Sequence, residues 1–283
     1  MAVAIEKNGV KCHKIKFFND VTKQSVEHHT GDAENAAPPV VFYTFEAGSG
    51  TDIEDFSESG TDHDATVEGD ADFDSGSKVS GSYSLECNTN GFAEISNHSD
   101  ISWNYNDAWT VSCYAATTAA GYSGIFVKRL AGTGSTAYRG VAIFSASGNI
   151  EIYIVSHWGT VGGDDRAILV KGTGTSTDIN NGPFHHIVVT YDGSTNASGV
   201  TAWIDGAIHT IGNGKLVIGS SHDTLTTDTV TNSSAAHVGA DTVAEAFNCD
   251  HVDHFAAFSG AVTATQVDAL YNGGTPIDVS RGL

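Results

Sequence analysis

Phe184-His185-His186-Ile187-Val188-Val189-Thr190-Tyr191-Asp192-Gly193-Ser194 is a short apolar strand that carries two adjacent histidines and stops at a turn signal. Two readings compete. Paired histidines suggest a metal site or a general base. A strand, a turn and a returning partner suggest architecture. Neighbouring residues on a strand point to opposite faces. His185 therefore shares a face with Ile187 and Val189, and His186 shares the other with Val188. Rings on opposite faces do not easily bind one metal, so architecture is the stronger reading: one half-buried, hydrogen-bonded ring and one exposed ring. The returning partner is "GVTAWIDGA", residues 199–207. Asp205-Gly206 lies between Ile204 and Ile208, and Asp-Gly is a strong hairpin signal because such turns need positive φ.

The same pattern extends in both directions. "VVFYTFE", "SGSYSLEC", "GFAEIS", "AWTVSCYAAT", "YSGIFVKRL", "AYRGVAIFSA", "GNIEIYIVSHW", "RAILVKG", "SAAHVGAD" and "DHVDHFAAF" are each short. Most alternate apolar and polar residues or are rich in Val, Ile, Tyr and Phe, with Gly, Asn, Asp and Ser between them. That pattern predicts an all-β sandwich or barrel. One helix is expected in "TATQVDALYNGG", residues 263–274. Thr263 or Thr265 would cap it, Val267, Leu270 and Tyr271 share one face, and Gly273-Gly274 end it. It is expected on the edge of the sandwich.

The chain has 283 residues, which suits one large domain or two small ones. Gly31, Asp32, Asn35 and the pair Pro38-Pro39 break both helix and sheet. Residues 1–38 are therefore expected to be an arm or small subdomain, and residues 39–283 the main domain. The net charge is −21, but residues 1–23 carry five lysines against Glu6 and Asp20, or +3, which leaves −24 for the remainder. An acidic body repels nucleic acid and anionic membranes. No apolar run approaches the ~20 residues that span a bilayer. The first twenty residues show no apolar core of a signal peptide, so synthesis and folding in a cytosol are expected. Cys12, Cys87, Cys113 and Cys249 are scattered and lack CxxC spacing, which argues against a zinc or redox pair. Cys87 and Cys113 read as core thiols, with a Cys87–Cys113 disulfide as the alternative.

"FHHIVVTYDGS…GVTAWIDG" resembles the W-H-H-V-A-V-T-Y-D-G…Y-V-D-G hairpin of laminin-G-like, concanavalin-A-like jelly rolls, with Phe184 for the usual Trp and Trp203 for the usual Tyr. "VFYTFEAGSGTDIEDFSESGTDHDATVEGDADF" is similar to that family's opening strand and loop. "AWTVSCYAAT" matches its Phe-Thr-Ile-Ser-Ala-Trp strand, with Tyr114 for Trp. "FNCDHVDHFAAFSGAVTATQVDALYNGG" is similar to its closing element, with Val252-Asp253 in the Ile-Asp place and His254 for Glu. The matches run in order over about residues 40–275, and residues 1–38 match nothing. The resemblance implies a two-sheet antiparallel jelly-roll sandwich. It fixes function less well, because such folds host binding and catalysis alike.

Four kinds of chemistry follow. Glycoside hydrolysis needs two facing carboxylates, and the family's glycosidases carry Glu-x-Asp-x-x-Glu on one strand. No such run is present: Glu151 stands alone in "IEIYIV", and Asp250 and Asp253 face opposite ways. Nucleophile-elbow, zinc-helix and phosphate-loop motifs are also absent, so no catalytic residue is assigned and a non-enzyme is expected. The resemblance implies one structural Ca²⁺ held by Asp55, by Asp62 or Asp64, and by Asp253, with calcium's preference for oxygen ligands. Without a metal, Asp253 would hold a loop through backbone amides. Glycan binding needs an aromatic platform and polar partners. The "SHWGTVGGDDR" loop offers Trp158, Asp164 and Asp165, and "AGYSG" offers Tyr122; the alternative is that Trp158 caps an open end of the sandwich. Assembly is the fourth. A basic arm before an acidic Gly/Thr/Ser-rich sandwich is similar to phage virion decoration or tail proteins. Residues 1–38 would then bind a capsid or tail partner, for example by adding a strand to a sheet edge. The leading expectation is a non-enzymatic structural or adhesive module on a virion surface, possible as a homo-oligomer. The rivals are a lectin domain for cell-surface glycans and a glycan hydrolase with an unfamiliar site.

Overall fold

In the computed structural model, His185–Tyr191 forms the strand that its pattern predicts. Residues 37–87, 89–132, 137–158, 165–174, 178–220, 222–227, 229–241 and 247–283 are described. The expected arm, residues 1–38, lies outside them apart from Ala37 and Pro38, as does Cys12.

Two antiparallel sheets make up the domain. The first contains β1 (Val41–Tyr43), β4 (Asp72–Asp74), β5 (Ser84–Glu86), β7 (Trp109–Ala116), β12 (His185–Tyr191), β13 (Val200–Ile204), β14 (Ala207–His209) and β19 (His251–Phe258). Their spatial order is β14-β13-β12-β7-β19-β5-β4, with β1 beside β19. The second contains β2 (Asp52–Ile53), β3 (Ala65–Glu68), β6 (Phe92–Ile95), β8 (Tyr122–Arg129), β9 (Gly140–Ala146), β10 (Asn149–His157), β11 (Arg166–Gly172), β15 (Leu216–Ile218), β16 (Ala236–Val238), β17 (Ala240–Asp241) and β18 (Phe247–Asn248). Its main path runs β15-β11-β10-β9-β8-β16-β6-β3-β2. Strands adjacent in space are often distant in sequence, as the jelly-roll expectation requires. Asp205 (φ 51°) and Gly206 (φ 77°) form the two-residue turn between β13 and β14, with Ile204 opposite Ala207.

The core fills the gap between the sheets. Ile187, Val189 and Tyr191 of β12 share that core with Ile150, Ile152 and Ile154 of β10. The alternate residues of β12 face outward. Val188 lies in a separate apolar cluster with Phe42, Trp203, Ala256 and Phe258, covered by Val267 and Leu270 of α1 (Ala264–Tyr271). The helix therefore lies on the outer face of the first sheet rather than at the sandwich edge. The difference has a cause: that face carries too much apolar surface to leave wet. Thr263 is the cap. Its hydroxyl accepts the Gln266 N–H, and the Gln266 side chain accepts the Thr263 N–H.

The two histidines separate as the pleat demands. His186 is 2% exposed, stacks on Tyr271 and shares a 3.1 Å hydrogen bond with Ser112 Oγ. Burial lowers its pKa to about 4, so the ring is neutral beneath the helix. His185 points the other way, to Asp205 Oδ2 at 2.7 Å and Asn181 Oδ1 at 2.9 Å. Cys87, Cys113 and Cys249 are buried free thiols, so the Cys87–Cys113 disulfide does not form.

Candidate binding groove

The inner residues of β9, β10 and β11 are aliphatic, and their alternates build a different surface on the far side of the second sheet. Strand pairing aligns Phe144, Glu151 and Lys171 in one rung, and Val127, Ala142, Tyr153 and Leu169 in the next. Val127, Ala142 and Phe144 are buried and form a small apolar floor, with Tyr153 packed against it. Tyr122, Tyr138, Trp158 and Phe247 stand around that floor and enclose an open groove of about 510 Å³.

The aromatic rings form a connected series. Tyr122 meets Phe144 edge-on at 5.7 Å and Phe247 at 5.5 Å. Phe144 meets Tyr153 at 5.6 Å, Tyr153 meets Trp158 at 6.0 Å, and Trp158 lies 4.7 Å from His222. Such edge and tilted contacts add to the burial of the rings. Arg129 lies 4.7 Å from the Tyr138 centroid and 5.2 Å from that of Phe144, while its guanidinium pairs with buried Asp241. Both contacts hold the cation in place.

Glu151 organises the polar part. One carboxylate oxygen accepts the Tyr153 hydroxyl at 2.6 Å and the Tyr122 hydroxyl at 3.3 Å. The other pairs with Lys171 Nζ at 3.0 Å. A nearly buried carboxylate needs such partners. Burial, together with the Glu151 carboxylate, pushes the Tyr153 phenol well above its ordinary pKa, so it stays protonated and donating. Lys171 is a third exposed and reaches the groove from this pair.

The structure brings together Tyr122 and Trp158, which the sequence reading placed in one ligand site. Asp165 stands behind them, with Oδ2 at 3.9 Å from the His222 Nε2 that flanks Trp158. Asp164 lies outside the described residues. Sequence reasoning missed Phe144, Tyr153, Arg129 and Lys171 and gave Glu151 no binding role. A signal was present: in Ile150-Glu151-Ile152-Tyr153-Ile154 the isoleucines mark the core face, which sends Glu151 and Tyr153 outward together.

Of the expected calcium ligands, Asp55, Asp62 and Asp64 line one cavity, and Asp253 does not line it. Asp55 accepts from Phe42 N, Ser57 N, Ser57 Oγ and His63 N at 2.9–3.1 Å. Those donors take up its roughly four lone-pair sites. Asp253 is fully buried at a bulge of β19. It accepts from Val79 N, His254 N and His254 Nδ1 at 2.8–2.9 Å, and so holds a loop through backbone amides. Asp62 caps the Asp64 N–H at 3.2 Å. Among the described residues, the group of three His, Cys, Asp or Glu donors lying within 4.8 Å of one another is His63, His98 and Asp100.

No family model and no curated protein matches the chain. Solved structures do. The binding domain of Paraclostridial Mosquitocidal Protein 1 is similar, with TM-score 0.55 and 14% identity over 83% of this chain and 52% of that one. So is the botulinum neurotoxin DC binding domain solved with rat synaptotagmin II, with TM-score 0.55 and 10% identity over 84% and 52%. A botulinum neurotoxin type C structure, described as dependent for cell entry on two ganglioside molecules, gives TM-score 0.51 and 12% identity over 84% and 51%. The chain thus spans about half the length of each. At such low identity the likeness establishes the fold alone: a two-sheet jelly-roll sandwich of the kind found in these toxin binding domains.

Proposed function

We propose that the protein is a non-enzymatic, lectin-like binding module whose ligand, a cell-surface glycan, lies in the groove over Phe144. One observation carries this reading. Tyr122, Tyr153 and Trp158 surround an open groove on a sheet face over which, among the described residues, no helix lies. Aromatic rings offer flat apolar faces to the C–H faces of sugars, while Lys171 and Arg129 supply directed donors to hydroxyl or acidic groups. The groove is polar enough to orient a ligand and apolar enough to release water. Glycosidases use paired carboxylates; Glu151 is tied to Lys171 and two phenols, an arrangement that suits recognition better than proton transfer. The fold's likeness to a toxin domain whose entry depends on gangliosides supports the choice of ligand class.

The test is a glycan-array measurement on the purified chain and on Tyr122→Ala and Trp158→Ala, with calcium and with EDTA. Saturable binding to a defined glycan, weakened in both variants, supports the reading. Binding that both variants retain, or no binding by the parent chain, overturns it.

A second reading is a structural role on a virion surface. It is favoured by the charge contrast between residues 1–23, at +3, and the acidic remainder. Pull-down of a capsid or tail protein by residues 1–38 would support it, and a glycan ligand would be compatible with it.

A further inference from the structure

We propose that His63, His98 and Asp100 form a binding site for a first-row divalent transition metal of the Zn²⁺ kind. The site is separate from the aromatic groove and does not depend on the lectin reading. Its position follows from strand pairing. Ala65 of β3 lies opposite Ile95 of β6. His63 precedes that rung by two residues and His98 follows it by three, so both reach the same end of the sheet. A short 3₁₀ turn, Ser99–Ile101, then places Asp100 beside them.

The distances decide the chemistry. His63 Nε2 lies 3.1 Å from His98 Nδ1 and 3.3 Å from Asp100 Oδ2. His98 Nδ1 lies 3.3 Å from Asp100 Oδ2. The three atoms form a nearly equilateral triangle. Tetrahedral Zn²⁺ with bonds of about 2.0–2.1 Å sets its donors about 3.3–3.4 Å apart. The triangle therefore already has almost the size of one face of that tetrahedron.

A proton on His63 Nε2 meets two acceptors at once. His98 Nδ1 is an unprotonated acceptor that takes the Asp100 N–H at 3.3 Å, a long bond that a bound ion would replace. Its neighbour across the triangle is a carboxylate oxygen, so one edge sets lone pair against lone pair. A cation at the centre relieves that contact. The His63 side chain is only 2% exposed and aims its Nε2 into the triangle. Behind it, His63 Nδ1 is buried without a hydrogen-bond partner, 3.5 Å from Asp55 Oδ2. Asp62 and Asp64 flank His63 and add negative charge.

Two imidazoles and one carboxylate suit Zn²⁺, Co²⁺ or Ni²⁺ better than calcium, which prefers an all-oxygen shell. His98 and Asp100 are 38% and 34% exposed, so a fourth position faces solvent and would take water or a ligand donor. The bound ion would tie the loop before β3 to the connection after β6.

The test uses the full chain, stripped of metal by dialysis. Titration with Co²⁺ should give one equivalent of a four-coordinate visible spectrum, displaced by one equivalent of Zn²⁺ and not by Ca²⁺. His98→Gln and Asp100→Asn change half-exposed residues and should leave the fold intact by circular dichroism. Each should weaken Co²⁺ binding about tenfold or more, and the double variant should abolish the four-coordinate band. The chain has 13 histidines that could bind metal loosely, so the variants are the control. Affinity unchanged in both variants, or a parent chain without a four-coordinate band, overturns the site.

Discussion

The two outer faces of the sandwich are both apolar, and they are treated differently. The first sheet sends His186, Val188, Trp203 and Ala256 outward, and α1 with the segment to Val279 covers them. The second sheet sends Val127, Ala142 and Phe144 outward, and half-exposed aromatics surround them without closing the groove. A covered face is explained by stability. A face that keeps Tyr122 38% exposed over an apolar floor is not, because apolar surface left wet contributes nothing to folding. The contrast separates residues retained for packing from residues available to a ligand.

Four outcomes would sharpen or break that contrast. Trp203→Ala, on the covered face, should cost about 3–5 kcal/mol in urea unfolding and leave glycan binding unchanged in the fraction that folds. A loss of binding without a loss of stability would erase the distinction between the faces. Second, the buried His186 should make stability depend on pH. Its native pKa is lowered to about 4, below the ordinary 6.5, so its contribution is complete above pH 6.5 and is lost as pH falls toward 4. The loss from this ring should approach about 3 kcal/mol, and His186→Asn should show a shallower fall in denaturation between pH 7 and 4.5. Third, Tyr122→Ala or Trp158→Ala should raise the glycan Kd about tenfold or more, about 1.4 kcal/mol, while shifting the unfolding midpoint little. A large drop in midpoint would mean that the groove is a poorly covered core. Smallest, Thr263→Ala should remove half of the capping box and cost about 1 kcal/mol in thermal unfolding, with binding intact.

The legible part of the fold was the part governed by period. The long strands β7 to β13 and the closing β19 carry alternating or continuous apolar runs. Asp205-Gly206 marked its hairpin because the turn requires two residues at positive φ. The strands that escaped notice were β2, β3, β4, β15 and β18, of two to four residues each. β2, β3, β4 and β18 contain Asp, Glu, Thr or Asn, β15 is only Leu216-Val217-Ile218, and pairing to neighbouring strands holds them in place rather than any pattern of their own. The candidate site was half legible. Tyr122 and Trp158 stood out as aromatics in glycine-rich loops, but Phe144, Tyr153 and Lys171 looked like ordinary strand residues until pairing set them side by side.

The calcium expectation depends on more than sequence position. Asp55 and Asp253 occupy the positions that the resemblance named, but whether a carboxylate has free lone pairs depends on which backbone amides reach it. Here Phe42, Ser57 and His63 satisfy the first, and Val79 and His254 serve the second. The sequence by itself determined the fold class, the opposite directions of His185 and His186, a threonine cap at 263 or 265 and the acidic character of the body, because each follows from local period, turn chemistry or charge. Only the tertiary structure decided that α1 covers one sheet and not the other, that six aromatic rings share a groove, and that His63, His98 and Asp100 converge. Those results depend on register between strands far apart in the chain, and register is set by the packing of the whole sandwich rather than by any one segment.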